Sequence, residues 1–227
     1  MGQCVAGSAA GLIQYVATNL LTSGYRWYVT GWVPDRKAPE AVDAKLVAKY
    51  ELDLPKWERS RRKRIGWASI RYVRHDRFFV MLATEGVHRW KLEEGSRIRD
   101  VRTNALKYGG YAVTIRRDTS PNRRGAGRWR VRVSIEAETY KRLKAYFLDL
   151  AVHRSVEELA AVFGRVPFEP YAPVRRQLLT ILNAVNRARK KAGYRPVPSG
   201  VLRYRRRPVR VFEDDMGVET APVAIRS

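Results

Sequence analysis

The chain has 227 residues, of which 45 are Lys or Arg and 22 are Asp or Glu, so its net charge is +23. Apolar residues make up 45%, enough for a packed core, which excludes a disordered basic tail; the single cysteine, Cys4, excludes a disulfide scaffold. Uncompensated charge on this scale repels itself, and the composition therefore predicts a polyanionic partner.

The first 25 residues carry no charged side chain. Within them Ala9, Leu12, Ile13, Val16 and Leu20 recur at helical spacing, interrupted by Ser8, Gln14, Thr18 and Asn19. The stretch is too short and too polar for a membrane span, and no basic segment precedes it as in a secretory signal. A short amphipathic helix laid on the domain, or a frayed segment, is expected over residues 1–24, with no membrane partner and a cytoplasmic location.

Arg26 to Val33 is aromatic and β-branched and stops at Pro34, the signature of a strand. Glu40 to Tyr50 places Val42, Leu46, Val47 and Tyr50 on one helical face, and Lys56 to Ile65 reads as a short, very basic helix. Trp67 to Val73 predicts a second strand. His75 and Asp76 predict a tight turn. Arg77 to Thr84, nearly all apolar, predicts a central third strand. Val87 to Leu92 reads as an edge segment, and Gly109-Gly110 as a bulge or strand-entry kink. Lys107 to Arg117 alternates with Tyr111, Val113 and Ile115 on one side, and Thr119 to Gly127 reads as a hairpin loop. In Arg128 to Ile135 the period of two turns Trp129, Val131, Val133 and Ile135 inward, and Arg128, Arg130, Arg132 and Ser134 outward.

Glu136 to Val152 predicts a helix with Tyr140, Leu143, Phe147 and Leu150 on its buried stripe. Ser155 and Glu158 form a capping-box pair that opens another helix, and Pro173 to Ala192 predicts a third with Val174, Leu178, Ile181, Leu182 and Val185 inward. The fold class that follows is α+β. It comprises an antiparallel sheet of ferredoxin-like, split βαβ character with helices on one face, followed by a small helical region. The expected units are a nucleic-acid-binding domain over residues 25–152, a helical and basic region over 153–212, and a loose tail over 213–227.

The charge gathers in three clusters. The first holds Lys56, Arg59, Arg61, Arg62, Lys63 and Arg64; the second Arg116, Arg117, Arg123, Arg124, Arg128, Arg130 and Arg132; the third Arg187, Arg189, Lys190, Lys191, Arg203, Arg205, Arg206 and Arg207. Arginine dominates, and it binds phosphate in bidentate fashion and stacks on bases, where lysine supplies a point charge. Trp57, Trp67, Tyr72, Trp129, Tyr194 and Tyr204 lie among the clusters. Basic grooves with interleaved rings suit single-stranded or structured DNA or RNA, and a protein partner within a nucleoprotein complex is a further reading.

Catalytic signals are sparse. His75, His88 and His153 stand at no metal-ligand spacing, no phosphate-cradling glycine loop is present, and no cofactor or metal is expected. The candidates for chemistry are Tyr140 and Tyr146 as nucleophiles and His75 and His88 as general bases.

The layout resembles the HUH endonuclease superfamily, which includes rolling-circle replication initiators and single-tyrosine transposases. RWYVTGWVP corresponds to the first strand, RHDRFFVMLATEG to the central strand and EAETYKRLKAYFLDLA to the tyrosine-bearing helix. The resemblance covers about Tyr25 to Ala151. It implies a DNA-binding platform from mobile-element replication or transposition, with Tyr140 or Tyr146 as nucleophile. The family's His-hydrophobic-His is replaced here by Arg77, Phe78, Phe79 and Val80, which cannot hold a divalent cation, so the form implied is a non-cleaving relative. The alternatives are a nuclease or strand transferase, and a structural subunit of a ribonucleoprotein.

Overall fold

A computed structural model describes residues 4–118, 127–206 and 209–212. Two antiparallel sheets and seven α-helices make an α+β fold among these residues.

The first sheet is formed by β1 (Trp27–Trp32), β2 (Ile70–His75), β3 (Phe78–Ala83) and the short β4 (Arg99–Asp100), in the order β2-β3-β1-β4. α2 (Pro39–Tyr50) and α3 (Lys56–Arg64) connect β1 to β2, and α4 (Arg89–Glu94) connects β3 to β4. β3 therefore lies between β1 and β2, which is the split βαβ arrangement. The apolar run of β3 explains its central place, because both of its faces are covered. Phe78, Val80 and Leu82 point into one hydrophobic cluster, and Phe79, Met81 and Ala83 into the other. The second cluster holds Tyr50 of α2 and Trp90 of α4, so these helices share one face of the sheet.

The opposite face is closed by the uncharged N-terminal segment and by a second sheet. α1 (Ala9–Tyr15) is capped by Ser8, whose hydroxyl accepts from the Gly11 amide at 3.0 Å, and continues as a π-helical turn over Val16–Leu20. Leu12, Ile13 and Val16 are wholly buried. The segment buries this apolar stripe in the core and leaves Thr18 and Asn19 exposed, as an amphipathic helix packed on the domain does. The second sheet has the order β5-β6-β7, with β5 (Leu106–Tyr108), β6 (Tyr111–Arg117) and β7 (Trp129–Ile135). Gly109 and Gly110 form the two-residue turn between β5 and β6, both with positive φ (55° and 77°), not a bulge. A two-residue turn with left-handed backbone at both positions suits glycine, which carries no Cβ penalty there.

α5 (Ala137–Leu150), α6 (Val156–Gly164) and α7 (Ala172–Lys191) follow. The Ser155–Glu158 capping box is formed, and the α7 stripe from Val174 to Val185 is buried. One hydrophobic cluster runs from Ala6 through both sheets to Leu202, so the helical region shares its core with the strands. The returning chain pairs with the start: Gln14 exchanges hydrogen bonds with the backbone of Val209 at 2.8 and 3.0 Å. Of the edge segment expected over Val87 to Leu92, Val87 bridges Trp67 in parallel, and the rest is α4, whose first turn His88 caps.

Candidate nucleic-acid interface

The second sheet presents one buried and one open face. Tyr111, Val113, Ile115, Val133 and Ile135 are buried, and their alternates point the other way. On that open face Arg116 stands directly opposite Arg130, Thr114 opposite Arg132, and Ala112 opposite Ser134. Like charges in direct cross-strand register destabilise a sheet. Asp118 answers part of this charge with a 2.8 Å ion pair to Arg130.

Trp129 keeps the side that its parity predicts but is not buried there. It pairs with Arg117 at the far end of the hairpin, beyond the reach of the core, and is 57% exposed. The Arg102 guanidinium lies 5.7 Å from its ring centroid. Arg102 was not among the sequence candidates. No local pattern distinguishes it, because β4 is only two residues long.

The first cluster divides on α3. Glu58 pairs with Arg61 and Arg62, and Glu51 with Arg62, so part of this charge is neutralised within the fold. Arg59 donates to the Leu54 carbonyl. Lys63 and Arg64 are exposed, as are Trp57 and Trp67. Tyr72 is instead buried against Asp43.

In the third cluster Arg187 and Lys190 line a cleft of about 660 Å³ with Asn183, Asn186, Tyr194 and Pro196, and Lys191 is exposed nearby in the chain. Arg189 does not belong to any surface. It is buried and donates to the carbonyls of Arg195, Ala151 and Arg154 at 2.6, 2.7 and 2.8 Å, tying loops to the end of α7. Arg203 likewise bonds the Val166 and Phe168 carbonyls at 2.9 and 3.1 Å. Arg206 lies 5.0 Å from the Tyr171 ring, and Arg205 is exposed. Arg123, Arg124 and Arg207 lie outside the described residues. β7 packs against both the π-helical turn and α7, and the three elements share one hydrophobic cluster on the buried side of the sheet.

The catalytic candidates do not converge. Tyr140 and Tyr146 are six residues apart on α5, about 240° around the helix, and therefore face different ways. Tyr140 packs against the core, and Tyr146 is exposed beside Phe147. His88 accepts the Trp90 amide proton at Nδ1, and burial pushes its pKa below the usual histidine value, so it stays neutral as a helix cap. His75 Nδ1 lies 2.6 Å from the Tyr108 hydroxyl. Where the HUH motif would stand, Arg77 binds the carbonyls of Pro34 and Asp35, and Phe78 stacks on Tyr108 with centroids 3.9 Å apart. Among the described residues no group of His, Cys, Asp and Glu side chains could hold a metal ion, and no helix is long and apolar enough to cross a membrane.

Comparison with family models, curated proteins and solved structures finds no match to the chain.

Proposed function

We propose that the protein binds single-stranded or structured nucleic acid, gripping phosphates through the open face of the second sheet. The observation that carries this reading is the register of Arg116 against Arg130 with Arg132 beside them on one open face. A fold tolerates facing guanidinium groups at a cost that Asp118 offsets only in part, and a polyanion removes the remainder while gaining bidentate contacts. Trp129 is exposed at the rim, on the side of the strand opposite Arg130 and Arg132, so its ring is offered to a base that passes the end of the hairpin. The Glu58 and Glu51 pairs neutralise part of the first cluster, so the general grip on the strand rests on the sheet face rather than on α3.

Binding of fluorescent single strands and hairpins, DNA and RNA, is measured against salt. With about six to ten phosphates neutralised, the log–log slope is expected between roughly −4 and −9. The double variant Arg130→Glu, Arg132→Glu removes two phosphate contacts, so its slope is expected to shrink by roughly 1.4 to 1.8. A flat salt response of the wild type, or undiminished affinity in the double variant with its fold intact, overturns the reading.

A further inference from the structure

A cleft of about 410 Å³ opens between the turn that follows α1, the helix α3 and the edge strand β2. Lys56, Arg59, Lys63 and Arg71 line it, and no acidic residue does. The first three stand at positions i, i+3 and i+7 of α3 and form one stripe. The other side of the helix carries Glu58 between Arg61 and Arg62. α3 therefore neutralises one side and leaves the side on the cleft charged.

Neutral groups hold these cations in place. Arg71 donates from Nη2 to the Tyr15 hydroxyl at 3.1 Å, and Lys63 Nζ lies 5.9 Å from the Tyr25 ring centroid. Tyr15 uses a lone pair there, so its own proton remains to be donated. Asn19, Ser23 and Ser60 add further polar groups to the lining. Like charges gathered around one concavity raise one another's energy, and an oxyanion relieves it. Four cations answer the near-dianionic charge of a phosphate monoester, whereas an internal diester brings a single charge.

We propose that this cleft holds a terminal phosphate monoester of a nucleic-acid strand, so that the protein recognises strand ends. The inference rests on the nucleic-acid reading above for the source of the monoester, and on the cleft alone for its chemistry. Residues 15–23 and Arg71 carry it together with the α3 stripe, and the turn contributes no charge of its own.

The test is competition against a labelled, hydroxyl-ended single strand by the same strand bearing a 5′-phosphate, a 3′-phosphate or neither. A terminal phosphate is expected to tighten binding about tenfold, the worth of one charge-assisted hydrogen bond. Lys56→Ala with Lys63→Ala, both exposed positions, is expected to abolish that preference while leaving the hydroxyl-ended strand within about twofold. Arg130→Glu with Arg132→Glu is expected to weaken all strands and keep the preference. Equal binding of phosphorylated and hydroxyl-ended strands overturns the cleft inference and leaves the sheet-face reading standing. Calorimetry with a nucleoside monophosphate separates the remaining cases. If no strand binds but the monophosphate does, and the two lysines are required, the cleft is a mononucleotide site and the sheet-face reading falls. If neither binds, both fall.

Discussion

Removing the charge of Asp43 is expected to destabilise the protein more than any change on its basic surface. Asp43 and Arg74 are 4% and 5% exposed, and Arg74 Nε and Nη2 reach the Asp43 carboxylate at 3.0 and 2.9 Å. Tyr72 donates its hydroxyl to the same carboxylate, and Arg74 Nη1 donates to the Asp76 carbonyl at 2.6 Å. Burial, and the hydrogen bond to this carboxylate, push the Tyr72 pKa far above its usual value, so the hydroxyl stays protonated. The group ties α2 to β2 and to the β2–β3 turn. In Asp43→Asn the guanidinium stays buried, and its remaining counter-charge is Glu40 at 3.3 Å, which is 77% exposed. Breaking a buried pair from one side costs about 3–5 kcal/mol, and Glu40 places the expected loss at about 3–4 kcal/mol. For a chain of this size that lowers Tm by roughly 6–16 °C. The triple variant Asp43→Leu, Tyr72→Phe, Arg74→Met removes every member of the group and is expected within about 2 kcal/mol of wild type. Denaturant unfolding followed by circular dichroism measures all three proteins. An Asp43→Asn loss below about 1 kcal/mol, or a triple variant no better than the single one, refutes the assignment of a buried charge held by its partner.

Arg189→Met is expected to lower stability by about 2–4 kcal/mol, because three loop carbonyls lose their donor, with no selective loss of nucleic-acid binding. A stable variant with impaired binding would return Arg189 to the interface. Trp129→Ala is expected to leave stability within about 1 kcal/mol and to weaken single-strand binding by about 1–3 kcal/mol, read by anisotropy. Unchanged affinity would remove its ring from the contact. Glu136 caps α5, accepting from the Glu138 and Thr139 amides at 2.8 and 3.0 Å. Its pKa is lowered to about 2, first by the Lys107 ammonium and then by these amides. A depressed carboxylate pKa contributes stability above the unfolded value near 4.5, and that stability is lost as pH falls toward 2. Glu136→Gln is therefore expected to flatten the acid limb of the unfolding profile between those values, and an unchanged limb would refute the cap's role.

Local pattern alone determined much of the fold. The period-two alternation of Tyr111 to Ile115 and of Val131 to Ile135, the Ser155–Glu158 box and the Val174–Val185 stripe each encode their element in neighbouring residues. The apolar run of β3 announced a strand covered on both faces. Tertiary structure alone decided the rest. The segment Leu12 to Leu21 shows its apolar stripe in sequence and keeps Thr18 and Asn19 exposed, but that the stripe is buried against a second sheet is decided only by the packed fold. Trp129 keeps the parity of the core but lies past its edge, since alternation fixes a side and not an extent. Arg189 and Asp43 carry the charge of surface residues yet are buried, because the carbonyls and the guanidinium that satisfy them are remote in sequence or come from another element. The cleft between the uncharged turn, α3 and β2 is of the same kind. Its charge was legible on α3, but its concavity, Arg71 and the lack of an acidic neighbour arise only when three distant segments meet. Burial and charge compensation depend on what the chain brings alongside, and that is a property of the packed fold rather than of any window of sequence.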